Sequence, residues 1–93
     1  MRTIDRTTTF KKDFKREKKG QHKKTVEALL ITVVAALADD QPLSPANRDH
    51  PLGGEWAGYR ECHLKPDLLL MYSKPNVTTL QLVRLGSHSE LFG

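Results

Sequence analysis

The sequence predicts an α+β fold: one compact domain over residues 1–93 with the order β-α-α-β-β-β, its two N-terminal helices packed on a small, twisted, mainly antiparallel sheet. Three observations predict it. An apolar stripe with helical period runs through residues 26–37. A segment holding Pro42, Pro45, Pro51, Gly53 and Gly54 interrupts the chain in the middle. Three strand-like runs, separated by short turns that contain proline, fill the remainder. Helices followed by consecutive short strands make a two-layer arrangement, with the helices covering one sheet face and the other left open.

The elements follow in order. Arg2 to Thr7 alternates and is rich in Thr and Ile, which suits a short first strand. Thr8 or Thr9 offers a hydroxyl to cap the helix that follows. On that helix Phe10 and Phe14 stand at i, i+4 and face the core, basic residues fill the other faces, and Gly20 stops it. The second helix spans about Lys23 to Ala38. Its residues Val26, Leu29, Leu30, Val33, Val34 and Leu37 lie on one side and must be buried. Asp39 to Gly54 cannot form a long regular element and has the length of a functional loop. Strands are expected at about Gly58–Leu64, Asp67–Ser73 and Thr78–Leu85. Pro66 cannot take the positive φ of a type I′ hairpin, so a three-residue turn, Leu64-Lys65-Pro66, is expected to set His63 opposite Asp67. Lys74-Pro75-Asn76 forms the second turn. Trp56 and Tyr59 read as packing residues at the entry to the second strand.

Composition narrows the function. At 93 residues, 38% hydrophobic and 28% charged, the chain has material for one core. No apolar run reaches the roughly 18 residues that cross a bilayer, and the first residues lack the apolar stretch of a secretory signal. No membrane partner and a cytoplasmic location are therefore expected. The single cysteine, Cys62, permits no internal disulfide and no cysteine-based zinc site. Residues 1–24 hold ten of the fifteen Lys and Arg but only three of the eleven Asp and Glu. Lys11, Lys12, Lys15, Arg16, Lys18 and Lys19 form the heart of this basic block, followed by Lys23 and Lys24. It is either a solvated helix face or a positive field for a polyanion.

His22 lies in the basic block and reads as a surface residue. His50, His63 and His88 occupy a Pro-rich loop, a strand end and the C-terminal tail. Singly, each is more often a solvated polar residue than a catalyst. If the second and fourth strands flank the third, His63, Asp67 and the end of the fourth strand share one sheet edge, which the loop bearing Asp49-His50-Pro51 can also reach. Such a cluster suits RNA cleavage. The ribose 2′-hydroxyl is an internal nucleophile, so the reaction needs a base, an acid and cationic stabilisation of the phosphorane. Histidine serves as either acid or base because its unperturbed pKa is about 6.5. A metal site would draw on the same residues, but they lack a compact His-x-x-x-His spacing, so no metal and no cofactor are expected. Phe92, next to the last residue, either anchors the tail or stacks on a base.

The C-terminal half carries a longer pattern: D-H-P-L-x-G-x-W-x-G-Y-R-x-x-H-x-x-P-D from Asp49 to Asp67, then R-x-G-x-H-x-x-L-F from Arg84 to Phe92. It resembles the YafQ branch of the RelE/ParE toxin superfamily, and the N-terminal half agrees in outline. The resemblance implies a toxin of a type II toxin–antitoxin system: an endoribonuclease that cleaves mRNA in the ribosomal A site without a metal and so inhibits translation. Carried over by position, it implies a site of His50, His63, Asp67, His88 and Phe92. His50 would be the general base supported by Asp67, and His88 the general acid. His63 would orient the phosphate or share in proton transfer, Phe92 would stack on a base, and Arg84 would offset transition-state charge. Leu68 departs from the pattern, since related toxins can carry an aromatic there, which bears on sequence preference. The implied partners are mRNA, ribosomal RNA docked on the basic helix, and an acidic cognate antitoxin in a hetero-oligomer that binds operator DNA. Two alternatives are a non-catalytic ParE-like inhibitor of DNA gyrase and a basic RNA-binding protein. Three histidines with a carboxylate favour the nuclease, since a pure binder needs no proton-transfer groups.

Overall fold

Thr7 is the point at which extended chain becomes helix. In the computed structural model, which describes residues 1–20 and 22–93, strand β1 (Thr3–Arg6) ends one residue before it and helix α1 (Thr8–Glu17) begins one residue after it. Thr7 itself is extended, and its hydroxyl accepts the Phe10 N–H at 2.9 Å. The cap is thus Thr7 rather than Thr8 or Thr9, because only a residue still in the β region can turn its oxygen back to the N–H three positions on. Helix α2 (Val26–Ala38) buries Val26, Leu30, Val33, Val34 and Leu37, with Leu29 packed beside them, as the stripe requires. No helix among the described residues is long and apolar enough to cross a membrane.

The central loop contains more structure than its composition suggests. Two 3-10 turns, Pro45–Asn47 and Gly54–Trp56, flank a two-residue strand, β2 (His50–Pro51). Strands β3 (Arg60–Lys65), β4 (Leu68–Asn76) and β5 (Thr79–Gly86) then run antiparallel, and β1 joins β5 in parallel. The sheet order is β1-β5-β4-β3-β2. The chain ends in a short helix, α3 (His88–Phe92), where the sequence reads as a tail.

Both expected turns shift. Strand β3 continues to Lys65, so the turn is Pro66-Asp67, a bulge falls between His63 and Lys65, and His63 pairs with Leu69 instead of facing Asp67. The bulge absorbs the residue that the three-residue turn would have used. At the next turn β4 runs through Lys74-Pro75-Asn76 and reverses at Val77-Thr78, where the Asn76 side-chain oxygen accepts the Thr78 N–H at 3.0 Å.

Alternation along β3 and β4 decides which residues face the helices. Cys62, Leu64, Leu68, Leu70 and Tyr72 enter the core with Phe10 and the α2 stripe. Glu61, His63, Leu69 and Met71 therefore take the opposite face. That face is not left open: Leu69 and Met71 are fully buried and Leu91 of α3 is buried too, all outside the helix-side core. Leu68, where related toxins can carry an aromatic, is fully buried in the helix-side core.

Helix α1 also completes the sheet edge. Strand β1 stops at Arg6, while β5 continues to Gly86 with its outer polar groups uncovered. Thr7 takes over, its N–H donating to the Leu82 carbonyl at 3.1 Å and its hydroxyl to the Val83 carbonyl at 2.8 Å. Asp13 then accepts the Leu85 N–H at 3.0 Å, and Arg16 donates to the Leu85 carbonyl at 2.7 Å. Side chains of α1 thereby supply the bonds that a neighbouring strand would have made.

Candidate active site

His50 and Glu61 are directly opposite across the β2–β3 pair, which is why a loop histidine and a strand carboxylate meet. His50 Nε2 lies 2.9 Å from Glu61 Oε2, and the carboxylate is almost wholly buried. The other ring nitrogen, Nδ1, stands 2.6 Å from the Arg48 carbonyl. A carbonyl only accepts, so Nδ1 carries a hydrogen and Nε2 is the working nitrogen. Arg48 adopts the left-handed region at φ 47°, which directs its carbonyl back to the ring two residues on. Two lone pairs do not sit 2.9 Å apart without repulsion, so the His50–Glu61 contact holds a shared proton. The pair is built to pass a proton between nitrogen and oxygen.

His63 and His88 extend this cluster. His63 lies two residues after Glu61 on the same strand face, its ring centroid 6.4 Å from His50 and 6.0 Å from His88. Its Nδ1 is buried and has no hydrogen-bond partner among the described residues, and the same holds for Glu61 Oε1. His88 opens α3, whose start is capped by a reciprocal Ser87–Glu90 pair. Its Nε2 stands 3.5 Å from Glu61 Oε1, while most of the side chain is exposed. The three imidazoles thus surround one buried carboxylate, two of them against its two oxygens.

An aromatic wall borders the cluster. Phe92, one turn beyond His88 on α3, has its ring centroid 5.7 Å from the His88 ring and is 40% exposed. Trp56 meets Phe92 edge-on at 5.9 Å and Tyr59 at 6.0 Å. Trp56 is therefore part of the site's border, and Phe92 stays 40% exposed between Trp56 and His88.

The loop that carries His50 is pinned from below. The Tyr72 hydroxyl donates to Asp49 Oδ1 at 2.6 Å, and Arg60 Nε reaches the same oxygen at 3.3 Å. Burial and the Asp49 carboxylate push the Tyr72 phenol well above its ordinary range, so it remains a donor. Tyr72→Phe is expected to lower stability by about 1.5–3 kcal/mol, the worth of a hydrogen bond to a charged group, as read by urea unfolding.

Other expected site residues are elsewhere. Asp67 stands in the β3–β4 turn, with Oδ1 3.4 Å from His22 Nε2, and lines a cleft with Arg16, Glu17, Gly20, Ser87 and Glu90. His22 is not a surface residue: it is buried at 7% exposure beside that cleft. Arg84 turns its guanidinium onto Asp13, with Nε 2.8 Å from Oδ2. Arg16 is likewise committed to Asp13, Glu17 and Glu90, whereas Lys11, Lys12, Lys15, Lys18 and Lys19 are exposed on α1 and the turn after it. Glu61 escaped the sequence reading, although its i, i+2 spacing to His63 in a strand of Cys and Leu was the available signal. No group of three or more His, Cys, Asp or Glu among the described residues is arranged as a metal shell.

An αα hairpin on a five-stranded sheet, with histidines gathered at the strand ends and a C-terminal helix, defines a RelE-like toxin domain. Residues 2–93 match the family described as bacterial toxin of type II toxin-antitoxin system, YafQ. The chain is 35% identical over 92 residues to the mRNA interferase toxin YafQ of Escherichia coli strain K12, covering 99% of this chain and 97% of that protein. A metal-bound toxin from Helicobacter pylori shares 53% identity with a TM-score of 0.84, covering 99% of this chain and all of that one. YafQ in the E. coli DinJ–YafQ complex shares 33% identity with a TM-score of 0.85, each chain covered in full. The chain belongs to the YafQ family of type II toxins.

Proposed function

We propose that this toxin, an mRNA-cleaving endoribonuclease like its curated relatives, cuts message held in the ribosome by metal-independent acid–base catalysis centred on Glu61. The observation that carries this reading is that His50 and His88 face the two oxygens of one buried carboxylate, with His63 about 6 Å from both of their rings. The proton shared by the pair settles on Glu61 as the His50 ring turns off the carboxylate, and the freed Nε2 lone pair then takes the proton of the 2′-hydroxyl. The 2′-oxygen attacks the adjacent phosphorus, the P–O5′ bond breaks, and the leaving 5′-oxygen takes a proton from His88 Nε2. The products are a 2′,3′-cyclic phosphate and a 5′-hydroxyl. His63, beside the His50 and His88 rings, donates through its other ring nitrogen, Nε2, to a non-bridging oxygen and steadies the phosphorane. Glu61, in contact with His50, takes the supporting role that the resemblance assigns to Asp67. Phe92 stacks on a base beside the scissile linkage and is backed by Trp56. Arg84, bound to Asp13, supports the fold beneath the site.

Primer extension on message incubated with the purified protein, with and without ribosomes, tests the reading. Cuts at ribosome-occupied codons that vanish in His50→Ala and His88→Ala variants are expected. Intact message together with inhibited DNA gyrase would overturn it in favour of the ParE-like alternative.

The exposed lysines of α1 explain how such an enzyme reaches its substrate. Lys11, Lys12 and Lys15 contact ribosomal RNA phosphates, and an antitoxin with an acidic segment neutralises the toxin by competing for them and covering the site. The E. coli relative is seen in a complex with DinJ, and in our reading the hetero-oligomer that this chain forms with its own antitoxin binds operator DNA. Reversal of Lys11, Lys12 and Lys15 to Glu is expected to reduce ribosome co-sedimentation and to lower the salt slope of binding by about one for each phosphate no longer neutralised. Unchanged co-sedimentation at every salt concentration would count against the docking role.

A further inference from the structure

A helix of five residues does not hold its own position in water, yet α3 carries both His88 and Phe92. Its place must be set from outside, and the bonds at its base trace back to α1. Arg16 Nη2 donates to the Leu85 carbonyl at 2.7 Å, Nη1 to Asp13 at 2.9 Å, and Nε lies 3.2 Å from Glu90 Oε2. Glu90 in turn accepts the Ser87 N–H at 2.8 Å through Oε1. The chain of contacts therefore runs from Arg16 through Glu90 to Ser87, the residue immediately before His88. Asp13 holds the other polar group of Leu85, its N–H, so the last turn of β5 is gripped on both sides.

Gly86 makes the passage possible. A Cβ there would stand 2.7 Å from Arg16 Nη2, closer than such atoms approach, and a tight 3.0 Å from Glu90 Oε1. The guanidinium crosses the chain where a side chain is missing. We propose that Arg16, threaded across Gly86, is a positioning residue that sets where His88 and Phe92 stand in the site. This assigns Arg16 a different task from the lysines around it, and it rests on the nuclease reading of His88.

The test is a double-mutant cycle of Gly86→Ala and Arg16→Met, the latter keeping the aliphatic packing of the stem. The readouts are the cleavage rate at saturating ribosome-bound message, the half-saturating concentration and the His88 imidazole NMR resonances. Gly86→Ala alone is expected to lower the saturated rate by about tenfold to a hundredfold, the cost of a displacement near 1 Å, with the half-saturating concentration within about twofold. In the Arg16→Met background the same change is expected to cost several-fold less than in the wild type, because the nearest atom it would strike is gone and only the looser contact with Glu90 remains. The His88 resonances should shift in both single variants. Equal losses in the two backgrounds, or unshifted resonances in folded variants, would overturn the proposal. If His88→Ala retains full activity, the nuclease reading fails instead, and the resonances still decide whether Arg16 places His88. Should Arg16→Met not fold, Arg16→Lys in the same cycle decides the matter: one ammonium cannot serve Leu85, Asp13, Glu17 and Glu90 together, so the resonances should shift and the rate fall.

Discussion

Glu61→Gln is expected to slow RNA cleavage by about 10²- to 10⁴-fold, the range over which positioned acid–base groups act. The amide keeps the size and most of the shape of the carboxylate but cannot take the proton that His50 must release. Its effect should fall on the rate of the chemical step and not on substrate affinity, since Glu61 is buried and out of reach of bulk RNA. His50→Ala should cost a similar factor. The double variant should be little worse than either, because groups that act as one unit lose their function once. Thermal unfolding is the control: the amide fills the same space and its oxygen can still accept a hydrogen bond from His50, while the charge pairing with His50 and His88 is lost, so the variant should stay folded with stability lowered by no more than about 1–3 kcal/mol. A Glu61→Gln protein that cleaves at the wild-type rate would remove the carboxylate from the mechanism.

The second large effect concerns stability. Asp13→Ala is expected to destabilise the protein by about 2–4 kcal/mol, toward the lower part of the range for breaking a buried ion pair because its arginine partners remain partly solvated. Asp13 is 3% exposed and serves Arg84, Arg16 and the Leu85 N–H at once, so its removal strands a backbone donor as well as two charges. Burial alone would raise the Asp13 carboxyl, but the bonds from Arg84 and Leu85 and the two guanidinium charges outweigh it and hold the group below the ordinary 3.8. A depressed carboxylate contributes fully above its unfolded value and loses that contribution as pH falls through its folded one. The stability difference between wild type and Asp13→Ala should therefore be constant at neutral pH and shrink only below about pH 4. Urea unfolding at pH 7, 5 and 3 reads this directly, and a difference that persists unchanged at pH 3 would contradict the ionised assignment.

These two residues mark different limits of what can be read from the chain. Asp13 was visible only as one acid within a basic block, and nothing local says that it will face β5, 72 residues later. Glu61 was visible as a charge in an apolar strand, but its significance depends on β2, a strand of two residues inside a loop whose composition argues against regular structure. A pairing that short leaves no periodic signal. The turn at Pro66-Asp67 failed for a related reason: a bulge changes register by one residue without changing composition, and register decides whether Asp67 or Leu69 lies opposite His63.

By itself the sequence determined the element order, the buried stripe of α2, the basic face of α1 and the residue pattern that marks the family. Each of these rests on spacing along the chain or on residue types that recur at fixed separations. Only the tertiary structure decided that Glu61 is the carboxylate among the histidines, that Asp67 sits with His22, that Arg84 and Arg16 serve Asp13, and that Gly86 leaves room for a guanidinium. Those are contacts between segments distant in sequence, and they follow from strand register and edge pairing, which a linear pattern does not encode.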